Sequence, residues 1–413
     1  MSRRSARARG PVMLGSAAVL AAIVSVGTGV ATAEEPLPLP YGCPALVVVG
    51  VEGTGQSSLT ADPYTDPGVL GSVFAPVAGD PADVQQIVVP YDAGFGGAIG
   101  TGPGTATFAA SSQQALQKVR NTMSAVGTQC PRSKIALSAY SQGAGVAARV
   151  AHEEGADQGP VPPDRIAGVL LMSDYTRAPG GQAFPGRPGQ VSPDPVPGTR
   201  GAATSHVHLP PVPGSGGIAS NSVDYGKLDG RVGQACAEGD LACDAPANAA
   251  ALSVGAGIAA QTDFRSPATA LASAGAAWSG TVSAATTGVL LDDVHLDHGR
   301  VDYTPQRTVS DRLAQAAVNP DAPPTPAQSQ AAAVKAQQVA AAVAADPLGQ
   351  IPRLAQQIAA AVVPNLAANA ALIDPATVAR YANTVTQHDS YGTNPPYTAW
   401  LSAMTRDLHG GHR

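Results

Sequence analysis

Short apolar runs recur through the first half of the chain, separated by stretches in which polar and apolar residues mix. ALVVVG (45–50), QIVVP (86–90), KIALS (134–138) and IAGVLLM (166–172) are too short and too β-branched for helices, so each predicts a buried strand. Between the second and third run, TFAASSQQALQKVRNTMSAV (107–126) carries apolar residues at helical spacing. After the third, a tight A-Y-S-Q-G turn opens a helix that reaches about Glu154. Strands alternating with helices predict an α/β architecture, a parallel sheet covered on both faces.

The pattern then changes. Proline and glycine interrupt residues 178–217, which predicts a surface loop, and 222–240 returns the chain towards the sheet. Alanine-rich stretches follow at 327–346 and 351–373, divided into separate helices by Pro347, Pro352 and Pro364. Residues 305–380 therefore read as a helical insertion, and an amphipathic helix near 396–408 closes the chain.

Composition adds an address. Arg3, Arg4, Arg7 and Arg9 precede an apolar run over residues 12–31, and Ala31-Thr32-Ala33 supplies a cleavage site. Residues 1–33 are thus expected to be a signal peptide ahead of one domain over 34–413, with an uncleaved anchor as the rival reading. There is no cysteine at the cleavage site to carry a lipid. Without residues 1–33 the chain keeps 20 basic and 30 acidic residues, a net charge of −10, which argues against nucleic acid as a partner. Four cysteines in an exported chain favour disulfides. Of three possible pairings, the short spacing of Cys236 and Cys243 suggests a local bridge around CAEGDLAC, leaving Cys43 with Cys130. No C-x-x-C or paired-histidine spacing supports zinc.

The A-Y-S-Q-G turn is the candidate for chemistry. A strand, a G-x-S-x-G turn and a helix make the nucleophile elbow of α/β-hydrolases, and here Ser141 follows KIALS and precedes QGAGVAARV, with Ala139 at the first small position. A serine hydroxyl needs a base and an orienting acid, which this fold supplies in the order Ser, Asp, His. Asp240, on the loop between Cys236 and Cys243, and Asp174, after the fourth strand, compete as the acid. Gly50 to Ser57 approaches a phosphate-binding loop, but Gln56 replaces its lysine and no good helix start follows, so that reading fails.

CPRSKIALSAYSQGA and GRVGQACAEGDLAC together resemble the cutinase family of serine esterases. The resemblance implies an α/β-hydrolase fold over about 43–245 plus the C-terminal segment. It further implies Ser141 as nucleophile, Asp240 as the acid between bridged cysteines, and Cys43 paired with Cys130. In that family the opening strand leads to an R-G-T or R-G-S turn whose hydroxyl helps line the oxyanion hole. The counterpart here is Glu52-Gly53-Thr54, so Thr54 and the backbone N–H of Gln142 are implied as oxyanion donors, while glutamate stands where arginine is usual.

The base is the remaining choice. His152, His206 and His208 precede Asp240, and His409 and His412 lie in the tail. His295 and His298, in DDVHLDHGRVDY, compete with His388, the histidine that gives the family's H-x-x-Y pattern, with Tyr391. The paired histidines and Asp292, Asp293 and Asp297 would otherwise be a cation site or an exposed acidic loop. The expectation is a secreted, monomeric carboxylesterase or lipase acting on acyl esters without cofactor or metal, associated peripherally with lipid or cell envelope. Residues 351–373 are expected to act as a lid. The resemblance points to the actinobacterial branch of the family. An acyltransferase with the same triad and a non-catalytic envelope-binding protein are the alternatives.

Overall fold

The computed structural model describes residues 39–410 except 67, 78, 222 and 223. The expected signal peptide lies outside the described residues. Five strands, β1 (Leu46–Val51), β2 (Val84–Val88), β3 (Lys134–Tyr140), β4 (Ile166–Met172) and β5 (Val232–Ala235), form one parallel sheet in the order β2-β1-β3-β4-β5. Side chains alternate across a strand, and the apolar runs have no polar face because both sides are covered. Val47, Val49 and Val51 of β1 face α2 (Phe108–Gln129) and α3 (Gln142–Gly155), in a core with Val119, Met123 and Val150. Leu46 and Val48 point the other way, towards α1 (Val69–Phe74) and the last helix.

Beyond the sheet come α4 (Ala250–Ala260), α5 (Pro267–Gly288), a hairpin of β6 (Val294–Asp297) and β7 (Arg300–Tyr303), α6 (Val309–Val318), α7 (Pro326–Ala345) and α8 (Pro347–Ala367). Short α9 (Pro375–Arg380) and α10 (Thr384–His388) lead to α11 (Pro395–Gly410). The helical insertion thus begins at Ala250, ahead of the expected boundary at 305. Its first helices are mainly Ala, Gly, Ser and Thr, whose small side chains leave little apolar periodicity to read. The two ends of the excursion meet: Ala250 N–H donates to Ala368 O at 3.0 Å and Ala371 N–H to Asn248 O at 3.0 Å.

Residues 178–217 do more than skirt the surface. Phe184, Val196, Val207 and Leu209 are buried against α11, and Asp407 accepts from the N–H groups of Ala203 and Thr204 at 2.6 and 3.0 Å. Both expected disulfides are present, Cys43–Cys130 and Cys236–Cys243. By loop length alone the first contributes about 4 kcal/mol and the second about 2–3 kcal/mol, so the short bridge chiefly fixes its loop. Among the described residues no helix is long and apolar enough to cross a membrane.

The α11 contact depends on two glycines. A Cβ on Gly168 of β4 would lie 2.5 Å from Met404 Cε, and one on Gly233 of β5 would lie 2.6 Å from Trp400 Cζ3. Bare backbone there lets the indole approach the sheet closely, fully buried. Trp400→Ala should therefore lower the unfolding free energy by about 3–5 kcal/mol. In urea titrations the midpoint should fall while the slope stays constant.

Candidate active site

Ser141 ends β3 and begins α3 with φ +52° and ψ −116°, a left-handed conformation that a residue with a Cβ adopts at a cost. The surroundings enforce it. Ser141 N–H donates to Met172 O at 2.9 Å, tying the turn to β4. A Cβ on Gly143 would lie 2.2 Å from Val51 O, and one on Gly145 would lie 2.3 Å from the Tyr175 ring. Ala139 is extended strand residue paired with Val51, so no glycine is required there. The turn lifts the hydroxyl clear of the sheet at the N-terminus of α3, where the first N–H groups have no carbonyl within the helix.

His388 Nε2 lies 2.9 Å from Ser141 Oγ, and its Nδ1 lies 2.9 Å from Asp240 Oδ1. The remaining capacity of the carboxylate is filled: Ser173 Oγ and Tyr391 OH each donate to Oδ2 at 2.6 Å, and Ala242 N–H donates to Oδ1 at 3.1 Å. Burial pushes the Asp240 pKa up, but the hydrogen bond and charge of His388, with the Ser173 and Tyr391 hydroxyls, outweigh it. The carboxyl therefore stays below its usual range. Tyr140, next to the serine, donates to His388 O at 2.8 Å, and its ring lies 5.2 Å from the imidazole.

The competing candidates lie elsewhere. His295 and His298 are exposed on the β6–β7 hairpin, where His298 pairs with Asp297 at 3.5 Å. Asp293 is buried against Arg312 at 2.6 Å, and no cluster of metal-ligating groups occurs among the described residues. Asp174 caps its own turn through Thr176 N–H and accepts from Gln234 Nε2, with its pKa raised by burial. His206 and His208 stay exposed in the proline-rich loop, His409 pairs with Asp83 at 2.9 Å, and His412 lies outside the described residues.

Ser173 carries no motif, yet like Ser141 one strand away it follows a strand with a positive φ and donates its N–H to the last residue of the next strand. It follows β4, has φ +55°, is fully buried, and its hydroxyl lies 3.0 Å from His388 Nδ1 as well as against Asp240. The available signal was its place after β4, at the same sheet edge as Ser141.

Thr54 Oγ1 donates to Gln142 Oε1 at 3.2 Å. The buried Gln142 amide also donates to Phe108 O at 3.0 Å and Ser112 Oγ at 3.1 Å, so one side chain links the Thr54 turn to the start of α2. Glu52 turns inward. Its carboxyl accepts from Leu70 N–H at 2.8 Å and Gly53 N–H at 3.2 Å, holding the first turn of α1. Burial, then the charge and hydrogen bond of Asp66, push its pKa up to about 9.

A cavity of about 820 Å³ opens from Ser141 and His388 between the sheet body and the insertion. Phe95, Phe108, Tyr175 and Ile218 give it an apolar wall, and Ala256 and Ala260 of α4, with residues 317–322, roof it. Asp321 ties that roof to the body through Gln113 and, at 3.7 Å, Arg149. Residues 351–373, the expected lid, do not line it.

The Cutinase family model matches residues 42–255. The chain is 29% identical to the Carboxylesterase Culp6 homolog of Corynebacterium glutamicum over 54% of this chain and 72% of that protein. It is also 29% identical to a cutinase of Blumeria hordei over 36% of this chain and 57% of that protein. Among solved structures, the catalytic core domain of acetyl xylan esterase from Trichoderma reesei aligns at 15% identity with a TM-score of 0.34. That alignment covers 57% of this chain and 98% of that one.

The raised Glu52 pKa sets a sign. A carboxyl with a folded-state pKa above its unfolded value stabilises the fold most below the unfolded pKa, and that contribution is lost as pH rises through the folded one. Between about pH 4.5 and 9, wild type should therefore lose stability relative to Glu52→Gln. Thermal melts of both proteins across this range test it; a difference that stays constant with pH contradicts it.

Proposed function

Since the chain belongs to the cutinase family and is a serine ester hydrolase of α/β-hydrolase fold, we propose that it hydrolyses acyl esters of lipids through Ser141, His388 and Asp240. The observation that carries the reading is the unbroken relay from Ser141 Oγ through both imidazole nitrogens to Asp240, at 2.9 Å on each side.

His388 Nε2 takes the proton as Ser141 Oγ attacks the ester carbonyl carbon, and later returns it to the departing alcohol. Asp240 accepts from Nδ1–H, which keeps Nε2 free as the base and stabilises the imidazolium that forms. The Thr54 hydroxyl, released from Gln142 Oε1, and the Gln142 N–H donate to the developing oxyanion, each worth about 3–4 kcal/mol. Water then attacks the acyl-enzyme by the same route in reverse. The apolar cavity beside Ser141 receives the acyl chain. The basic and apolar N-terminal run and the two disulfides support export, with action outside the cell or at its envelope.

Hydrolysis of p-nitrophenyl esters from acetate to palmitate tests the reading. Ser141→Ala and His388→Ala should each lose at least about a thousandfold in kcat, and His295→Ala should keep wild-type rates. A wild type inactive on every ester, or an active His388→Ala, refutes it.

Ser173 acts as a positioning residue. Ser173→Ala should lower kcat about ten- to a hundredfold, as expected for one hydrogen bond to a charged group of about 1.5–3 kcal/mol, with KM unchanged. A variant with raised KM and intact kcat would show that the hydroxyl merely shapes the pocket.

A further inference from the structure

A surface helix ordinarily buries its apolar stripe and shows its polar face to water. In α8 the arrangement is largely the reverse. Four of its polar side chains point inward and satisfy backbone groups of the neighbouring hairpin and α6. Gln350 accepts from Val301 N–H at 3.1 Å and donates to Gly299 O at 2.9 Å, and Gln357 accepts from Tyr303 N–H at 2.8 Å. Arg353 donates to Val301 O at 2.7 Å, and Asn365 accepts from Ser310 N–H at 3.0 Å.

The exposed aliphatic residues flank that inner face, and Ile358, Val362 and Leu366 border an open apolar cavity of about 680 Å³ shared with the hairpin and α6. Leu348, Ile351, Ile358, Val362 and Leu366 recur at helical spacing with relative exposures from 50% to 90%. The apolar surface continues past the helix through Ile373, Val378 and Val385, exposed by 87%, 62% and 71%. It ends beside the active site. Val385 follows Thr384, whose hydroxyl accepts from Leu241 N–H at 2.8 Å, and Leu241 lines the cavity. On the loop that brings Thr101 to the same cavity, Ile99 is fully exposed.

Charge narrows the occupant. Arg353 is the one charged side chain between Asp346 and Asp374, and it is held by the hairpin backbone and by Asp302 at 3.2 Å. Arg380 of α9 is paired with Asp244 at 2.6 Å and Glu238 at 3.6 Å. Among the described residues of this face no unpaired cation therefore offers itself to an anionic headgroup, and the chain as a whole carries a net charge of −6. The apolar residues also spread over α8, the turn after it, α9 and α10, a broader front than one partner helix would cover.

We infer that α8 and the segment leading to His388 form a docking face for a lipid surface without net charge, from which esters enter the cavity. The inference rests on the esterase reading only for the identity of what enters. Binding of the full chain to phosphatidylcholine vesicles, measured by co-flotation, tests it beside the variant Ile351→Gln/Leu366→Gln/Ile373→Gln.

Wild type should bind phosphatidylcholine vesicles independently of salt, and the variant at least about tenfold more weakly, given the apolar area removed. None of the three residues lines the cavity, so p-nitrophenyl acetate hydrolysis should be unchanged. Leu348→Gln alone, at a position 90% exposed, should weaken binding in the same direction and covers the case of a triple variant that fails to fold.

No binding by wild type, equal binding by folded variants, or binding only with added phosphatidylglycerol and abolished by salt overturns the inference. So does a wild-type dimer that the substitutions convert to monomer, which would assign the face to a second copy. Vesicle binding by a protein inactive on p-nitrophenyl acetate would keep the docking face and remove the esterase reading instead.

Discussion

The site depends on a clamp between the Asp240 loop and residues 380–391. Asp240 and His388 are 148 residues apart in the chain, so nothing local holds them together. What does is a set of bonds around one short loop. Cys236–Cys243 closes it, Arg380 pairs with Asp244 at 2.6 Å, Tyr381 OH donates to Asp244 O at 2.6 Å, and Tyr391 OH reaches Asp240. Tyr140 then holds the His388 carbonyl from the serine side. His388 is thus positioned by its backbone, its ring and its neighbours, all referred to the sheet edge that carries Ser141 and Ser173.

A separate set of bonds lets glutamate stand at position 52 in the opening turn. Thr54 is located by the Gln142 amide and by Tyr91, whose hydroxyl donates to Glu52 O at 2.5 Å. The Glu52 side chain faces away, to the backbone of α1. The turn keeps its shape while the side chain at that position serves a different neighbour.

The sheet was legible because parallel strands buried on both faces need short, nearly continuous apolar runs, and β1, β3 and β4 are written that way. β5, with the sequence VGQA, has too little of that signal to stand out. Phe184, Val196, Val207 and Leu209 belong to the core, but proline and glycine space them irregularly, so no period announces them. At the site, Ser141 and Asp240 were marked by their local frames, and His388 by its tyrosine three residues on. Ser173 was not, because its role arises from strand adjacency, and a lone serine after a strand has no pattern of its own. The roof of the cavity has no sequence signal for a related reason. Aliphatic content points to 351–373 as the cover, while the roof is built from Ala256, Ala260 and residues 317–322, close to Ser141.

The insertion between Asp240 and His388 leaves and rejoins the body at nearly one point, where the backbone of residues 248–250 bonds to that of 368 and 371. A segment with joined ends behaves as a side branch. Closing a longer or shorter branch at that junction changes the conformational entropy only logarithmically with its length, and the geometry downstream of the junction is unaffected. Such a chain can acquire, lose or exchange material there while the histidine arrives at the same place. The long detour is therefore compatible with a preserved catalytic frame, and the junction is a natural splice point for varying what surrounds that frame.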